Sequence, residues 1–497
     1  MSENQKNTNH LFKKTNCMKF FYLLILSVSF ANNSNAQNSN KTTEALKNEA
    51  GKNIQGSYEA YKKIALSIWD YAEVGYKESK SSLLLQNTLK DNGFKVDAGI
   101  AGMPTAFIAT YGSGSPIIAI LAEYDALPGL SQENSPVKSP IAQRNSGHGC
   151  GHNLFGTGSV ASGIAIKTLM AEGKIKGTLK VFGCPAEEGG DGKVYMVREG
   201  FFKDVDVVLH WHPEEHNAVL YSSSLAIKTA KFRFNGISAH ASSAPDKGRS
   251  ALDAVEAMDY MVNMMREHIP QESRIHYIIT NGGKAPNVVP DFAEVFYYVR
   301  HPEKDITERL FERVVNAAKG AATGTDTKME YEIISGSHDL LINKTLANTM
   351  QANLVNVGGV SYTDEEKKFG KQLQSSFLGK VPSLDSAAVV KSFYIKKDQG
   401  STDVGDVSYV VPTVGVETAT WIPGTSAHSW QAVACSGRDI GVKGMIVAAK
   451  TMAFTAIDLF LTPSLIQKAK DEFTSSKGNY KYKALLGDRK PALNYRD

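Results

Sequence analysis

The segment GHGCGHN around Cys150 contains residue types that bind divalent metal ions or act as nucleophiles. The thiol of Cys150 lies between His148 and His152, with a glycine on each side. Thiolate and imidazole are good zinc ligands, and glycine lets the backbone turn tightly enough to aim both at one point. Alone, the segment fits a pair of metal ligands, a nucleophile, a disulfide partner or a plain glycine-rich loop.

A pair of carboxylates, Glu187 and Glu188, follows the apolar run GTLKVFG. Adjacent glutamates at the end of a strand project in different directions. One can therefore coordinate a metal ion while its neighbour holds or deprotonates a water molecule. The alternative is an exposed acidic turn.

Histidines follow two further apolar runs. His210, His212 and His216 lie in VDVVLHWHPEEHN, and His428 lies in the turn GTSAHSW. Residues 210 and 212 share a face if the strand continues, but we expect Pro213 to end it. A lone histidine in a loop is usually just solvated. Because each of these groups follows an apolar strand, the sequence nevertheless predicts a metal site at the strand ends.

The elements that would position these groups begin after a targeting segment. Lysines 13, 14 and 19 precede the apolar run FFYLLILSVSF, which is shorter than the roughly 20 residues of a membrane-spanning helix. Small residues follow it. We predict a signal peptide over residues 1–36, cleaved after Ala36, and export to the periplasm or the medium.

The composition is that of a globular protein. The 497 residues include 42% hydrophobic and 21% charged residues with a net charge of +4, so we expect neither nucleic acid nor a membrane as partner. Without Cys17, three of the four cysteines remain. At least one of them must be unpaired, while Cys184 and Cys435 could either pair or stay buried as free thiols.

Strand-like runs alternate with helical runs, which predicts an α/β fold with a mixed sheet flanked by helices. Residues 225–337 instead read as an inserted α+β unit in the order βαββαβ. The catalytic domain would then comprise residues 37–224 and 338–475, followed by a C-terminal tail at 476–497. Residues 361–400 are polar and irregular, and no element is assigned to them.

The motifs AEYDALPG, GHGCGHN, PAEEGGDGKVYM and GTSAHSW, in this order, resemble metal-dependent amidohydrolases of the aminoacylase, hippurate hydrolase and auxin-conjugate hydrolase type. The resemblance covers about residues 45–475. It implies an α/β catalytic domain that binds two divalent metal ions (Zn, Mn or Co). It also implies that the inserted unit is a lid that forms a homodimer.

The resemblance also implies roles for single residues. Glu187 would be the general base, and His240 and Asn287 of the lid would contact the substrate, His240 at a neighbouring subunit's site. The implied metal ligands are Cys150, His152, Glu188, His212 and His428.

One departure concerns the segment EYD, where many relatives of the wider clan have a His-x-Asp ligand motif. Glu123 replaces that histidine, which agrees with the use of Cys150 as a ligand, and Asp125 is expected to support a ligand rather than to bind metal.

The implied activity is hydrolysis of an N-acyl or N-aroyl amino acid, such as an aminobenzoyl-glutamate-like small molecule, by a metal-activated water. The alternatives are a dipeptidase or carboxypeptidase that uses the same site, a cysteine amidase with Cys150 as nucleophile, and a non-catalytic binding protein.

Overall fold

The computed structural model describes residues 41–392 and 400–496. The predicted signal peptide at residues 1–36 lies outside the described residues.

A seven-stranded mixed sheet forms the centre of the larger part of the fold, in agreement with the predicted α/β class. Its order is β1-β2-β6-β3-β7-β13-β8; β6, β3, β7 and β13 run parallel, and the strands at both edges are antiparallel. The strands of this sheet are β1 (Lys95–Ala98), β2 (Phe107–Ser113), β3 (Ile117–Glu123), β6 (Gly177–Cys184), β7 (Val207–Glu214), β8 (Ala218–Val219) and β13 (Thr413–Ala419). A separate two-stranded ribbon consists of β4 (Leu127–Pro128) and β5 (Ser146–Gly147).

The parallel strands are almost continuously apolar because helices cover both faces of the sheet. The helices of this part of the fold are α1 (41–56), α2 (Tyr58–Tyr71), α3 (Ser79–Asp91), α4 (His152–Ala171), α5 (Glu187–Gly190), α6 (Gly192–Arg198), α9 (Lys344–Val357), α10 (Asp364–Gln374), α11 (Val404–Ser408), α12 (Trp430–Ser436), α13 (Asp439–Leu461) and α14 (Pro463–Lys477).

Helices α4 and α13 are long and apolar enough to cross a membrane. Their most apolar windows are 78% and 83% buried inside the protein, where the two helices pack on each other and on the sheet. Both are therefore central core helices here, and their composition alone does not indicate a membrane span.

The inserted unit has a sheet and a core of its own. Its four strands pair antiparallel in the order β10-β11-β9-β12, and its two helices cover one face. The elements follow the βαββαβ order: β9 (Ala226–Asn235), α7 (Ala251–Met265), β10 (Arg274–Asn281), β11 (Phe292–His301), α8 (Lys304–Thr325) and β12 (Lys328–Ser337). The exact domain limits of 225 and 337 remain a prediction.

Two local features differ from expectation. Helix α10 forms within residues 361–400, because the side chain of Thr363 accepts from the Glu366 N–H and Glu366 accepts from the Thr363 N–H, a capping box. The strand β7 continues through Pro213 to Glu214, so the expectation that this proline ends it was wrong.

Candidate metal centre

The loop before α4 brings Cys150 to the carboxyl ends of the parallel strands. Gly151 adopts a left-handed backbone with φ of 73°, and a Cβ there would lie 2.7 Å from the Pro213 side chain. Only glycine fits both requirements, so the chain can turn sharply and begin the helix at His152. This turn places the Cys150 Sγ 3.4 Å from the Nε2 of His212.

His212 and His210 share one face of β7, but only His212 reaches Cys150. The Nδ1–H of His212 donates to the Pro213 carbonyl at 2.7 Å, which leaves Nε2 free to coordinate. His210 is buried with no hydrogen-bond partner for its Nε2, and burial lowers its pKa to about 3. The structure therefore brings His212 rather than His210 to the thiol.

The imidazole of His152 is held by a carboxylate on one side. Its Nδ1 lies 2.8 Å from the Asp125 Oδ1, and the other oxygen of Asp125 accepts the Glu188 N–H at 2.9 Å. The Nε2 of His152 is buried, lies 3.2 Å from Glu123 Oε2, and makes no hydrogen bond. Asp125 thus supports a ligand candidate and fixes the tautomer in which the His152 Nε2 carries no proton and can coordinate a metal ion.

The carboxylate pair lies in a kinked turn after β6. Ala186 and Asp191 have left-handed φ values of 56°, and the backbone of Glu188 is non-helical with ψ of 68°. This kink aims the Glu188 Oε1 at the Nε2 of His428, 3.1 Å away. His428 also lies in a left-handed conformation, and its N–H donates to the Gly149 carbonyl at 2.9 Å, which closes the His428 loop on the Cys150 loop.

A carboxylate oxygen of Glu187 lies within 4.8 Å of donor atoms of Glu123 and His152. Burial raises its pKa well above the ordinary range, and the negative charges of Glu123 and Glu188 raise it further. A carboxyl group with a raised pKa in a closed site is suited to accept and return a proton.

The candidate donor atoms fall into three trios, and within each trio the atoms lie within 4.8 Å of one another. Two of the trios share the thiol of Cys150. The trios are Cys150 with His152 and His212, Cys150 with Glu188 and His428, and Glu123 with His152 and Glu187.

A buried lysine, for which the sequence predicted no role, completes the site. The Lys193 Nζ lies 2.6 Å from Glu123 and 2.6 Å from Asp403, and all three side chains are essentially without solvent contact. Lys193 lies in the motif PAEEGGDGKVYM, and a lysine among apolar residues after PAEE was the available signal.

The remaining histidines of these motifs lie elsewhere. The His148 Nε2 bonds the Ile68 carbonyl at 3.0 Å, and burial lowers its pKa to about 3. His216 pairs with Glu417 at 3.0 Å. Cys184 and Cys435 are buried free thiols, so the structure does not contain the pairing considered for them.

The two lid residues are exposed and lie apart from the cluster. The His240 Nδ1 accepts the N–H groups of Ser242 and Ser243 at 3.3 Å, and the Asn287 carbonyl accepts the Ala241 N–H at 3.0 Å. Within the described ranges, no hydrogen bond or ion pair joins either side chain to the cluster.

Comparison with known proteins shows what the chain is similar to. Residues 119–392 match the profile of peptidase family M20/M25/M40. The chain is 40% identical to one of the p-aminobenzoyl-glutamate hydrolase subunits of Escherichia coli (strain K12), across 84% of this chain and 93% of that protein. It is 29% identical to the Xaa-Arg dipeptidase of Mus musculus, across 86% and 92% of the two chains. The crystal structure of a putative aminohydrolase from methicillin-resistant Staphylococcus aureus superposes with a TM-score of 0.63 at 17% identity, covering 83% of this chain and 99% of that one.

Proposed function

The chain belongs to peptidase family M20/M25/M40 and hydrolyses amide bonds, and from this premise we propose that it cleaves N-acyl or N-aroyl amino acids at a centre of two divalent metal ions. The candidate substrate is p-aminobenzoyl-glutamate, on the basis of the 40% identity to the Escherichia coli hydrolase subunit.

The single observation that carries this proposal is the sharing of the Cys150 thiol between two trios of donor atoms. One trio has His152 and His212, and the other has Glu188 and His428. Two ions with a common thiolate ligand would use all five residues. Two buried atoms, the His152 Nε2 and the Glu188 Oε1, make no hydrogen bond although they lie 3.2 Å from Glu123 and 3.1 Å from His428, which agrees with this assignment.

The donor set also fits the class of ion. Thiolate, imidazole and carboxylate together suit Zn²⁺, Mn²⁺ or Co²⁺ better than Ca²⁺ or Mg²⁺, which prefer oxygen ligands. When bound, such ions supply Lewis acidity for the amide carbonyl and for a nucleophilic water.

We assign the proton transfers to Glu187. It would take a proton from the attacking water and return it to the amine nitrogen as the amide C–N bond breaks, because an amine leaves poorly unless it is protonated. Glu187 is not one of the five ligand candidates, and its raised pKa suits it to hold a proton.

We further propose that the lid forms a homodimer. His240 and Asn287 are exposed on the inserted unit, and among the described residues no hydrogen bond or ion pair joins their side chains to the cluster of their own chain. In a dimer, His240 of one copy would donate a hydrogen bond to the developing oxyanion in the other, and Asn287 would contact the substrate.

We also propose that the protein is exported after cleavage near Ala36, which intact-mass measurement of the mature protein tests.

A dipeptidase is the second candidate, because the chain is 29% identical to an Xaa-Arg dipeptidase over most of its length. A cysteine amidase is less well supported, although the Cys150 Sγ lies 3.4 Å from an imidazole. Burial raises the pKa of Cys150 well above its ordinary value, so a free thiolate nucleophile is disfavoured there.

The test is hydrolysis by chelated protein before and after addition of Zn²⁺, Mn²⁺ or Co²⁺, with p-aminobenzoyl-glutamate, other N-acyl amino acids and dipeptides. We expect metal-dependent cleavage of N-aroyl amino acids. Cys150→Ser should lower metal content and activity, whereas Cys435→Ser, another buried thiol, should not. Chelator-insensitive cleavage that alkylation of Cys150 abolishes would establish the cysteine amidase instead. Preferential cleavage of dipeptides would establish the dipeptidase.

A further inference from the structure

The described part of the C-terminal tail that follows α14, residues 478–496, reaches back to the turn that carries Glu187 and Glu188. The Tyr495 hydroxyl donates to the Glu188 carbonyl at 3.0 Å, and the Arg496 Nη2 donates to the same oxygen at 2.5 Å. The Arg496 guanidinium lies over the Tyr495 ring, 4.6 Å from its centroid. Two donors from the last described residues thus converge on the backbone of one metal-ligand candidate.

The turn needs external support because its backbone is strained. Left-handed non-glycine residues flank it at Ala186 and Asp191, and such conformations persist only where the surroundings enforce them. A backbone hydrogen bond within the turn joins the Gly190 N–H to the Ala186 carbonyl at 3.0 Å. Side chains from elsewhere hold other backbone groups of the turn.

Three side chains from two other segments supply part of that support. The Glu78 carboxylate accepts the Ala186 N–H at 2.8 Å, Asp125 accepts the Glu188 N–H at 2.9 Å, and the Tyr76 hydroxyl donates to the Gly190 carbonyl at 2.6 Å. The Glu188 carbonyl oxygen lies between these supported groups, and it accepts its hydrogen bonds from the tail residues Tyr495 and Arg496.

The tail fits this position closely. The Tyr495 ring packs edge-on against Tyr76, with centroids 5.6 Å apart. A Cβ on Gly75 would lie 2.1 Å from the Tyr495 hydroxyl and 2.9 Å from the Ala186 Cβ, so glycine is required where tail and turn meet. The tail and the turn are therefore closely packed against each other at Gly75.

The tail is also anchored along its length before it reaches the turn. Arg198 of α6 donates to the carbonyls of Gly487 and Arg489 at 3.0 and 2.7 Å. Arg489 in turn bonds the lid strand β12, through the Ile333 carbonyl at 3.2 Å and through Glu332 at 3.3 Å. The tail therefore connects the inserted unit to the carboxylate turn.

We propose that Tyr495 and Arg496 are positioning residues of the metal centre, which hold the Glu187–Glu188 turn in the geometry that ligation and proton transfer require. This inference rests on the proposed function, since it presumes that Glu188 binds metal and that Glu187 moves the proton.

The test compares the full chain with a Tyr495→Phe/Arg496→Met variant, which removes both donors and keeps the aromatic ring and an unbranched side chain at position 496. Asn494→Ala, an exposed neighbour in the tail, is the matched control. Co²⁺ titration of the chelated protein, followed by its visible absorption, reports ligand geometry independently of hydrolysis. We expect a ~10–100-fold loss of Co²⁺ affinity and a comparable fall in kcat, with KM and the melting temperature of the metal-free protein nearly unchanged.

A variant that retains Co²⁺ affinity and kcat within about two-fold of the full chain would overturn the proposal, and so would a lower melting temperature with unaltered kcat and Co²⁺ spectrum. If the double variant does not fold, Tyr495→Phe alone is judged by the same criteria. An unaltered chain that binds Co²⁺ but cleaves no amide would refute the proposed function, while the affinities would still decide whether the tail positions the ligands.

Discussion

The Lys193 ammonium nitrogen lies 2.6 Å from the Glu123 Oε1, and neither side chain is more than 2% exposed. The same ammonium group lies 2.6 Å from the Asp403 Oδ1. The other oxygen of Asp403 accepts the backbone N–H of Lys193 at 2.8 Å. One buried ammonium group therefore pairs with two buried carboxylates next to the candidate metal centre. Removing it would leave the buried Asp403 carboxylate without its ammonium partner and would weaken the support of Glu123, which also lies 3.2 Å from the His152 Nε2.

Lys193→Met should accordingly destabilise the protein by about 3–5 kcal/mol, the usual cost of breaking a buried ion pair from one side. Urea unfolding of the metal-free protein measures this. Lys180→Met is the control, because Lys180 pairs with Asp204, whose side chain is 57% exposed, and such a pair contributes about 1 kcal/mol or less. Equal losses in both variants would contradict the inferred burial of charge.

Asp125→Asn should weaken metal binding ~10–100-fold. The amide would place an NH₂ group or a weaker acceptor against the His152 Nδ1 and the Glu188 N–H, both of which Asp125 now bonds. Competition with a calibrated chelator gives the affinity. Asp204→Asn, at the surface, should leave the affinity unchanged, and an Asp125→Asn protein with full affinity would show that the second oxygen and the charge are dispensable.

Glu187→Gln and Glu188→Gln should separate catalysis from ligation, although the two residues are adjacent. We expect Glu187→Gln to retain metal and to lose about 10²–10⁴-fold in kcat, because the proton carrier is gone. Glu188→Gln should instead lose bound metal, and its hydrolytic activity should fall because the metal is missing. Metal analysis of both proteins beside single-turnover hydrolysis checks this, and near-full hydrolysis by metal-loaded Glu187→Gln would refute the assigned base.

Sequence reasoning succeeded where short-range pattern determines the answer. The alternation of apolar runs and helices predicted the α/β sheet and the βαββαβ unit. Ligand-type residues after apolar strands predicted a metal site at the strand ends, and Cys150, His152, Glu188 and His428, which the family resemblance singled out, do lie close together. These groups meet because the carboxyl ends of parallel strands share one edge of the sheet.

The features that the sequence did not predict depend on long-range packing. The pairing of Lys193 with Asp403 joins residues 210 positions apart, and Tyr495 approaches Glu188 across 307 positions. No local periodicity encodes such contacts. The continuation of β7 through Pro213 is also set by its neighbours, because pairing with β13 tolerates the missing N–H of Pro213 opposite Thr418. Helix α10, by contrast, had a local signal in its capping box.

His216 should make the stability of the fold depend on pH. Burial opposes its charge, but the carboxylates of Glu215 and Glu417 outweigh burial and raise its pKa to about 9. Nearby Glu214, whose pKa burial and Glu417 raise to about 7, also faces this imidazole. Since the folded pKa exceeds the unfolded value of about 6.5, the charged imidazole stabilises the fold fully below pH 6.5, and this contribution is lost as the pH rises through 9.

His216→Gln should therefore lower the free energy of unfolding by about 2–3 kcal/mol at pH 6 and by much less at pH 9.5, measured by urea unfolding in the presence of chelator. His268→Gln, at an exposed position, is the matched control and should change the stability little. A His216→Gln deficit of the same size at both pH values would mean that the imidazole contributes through packing and not through its charge.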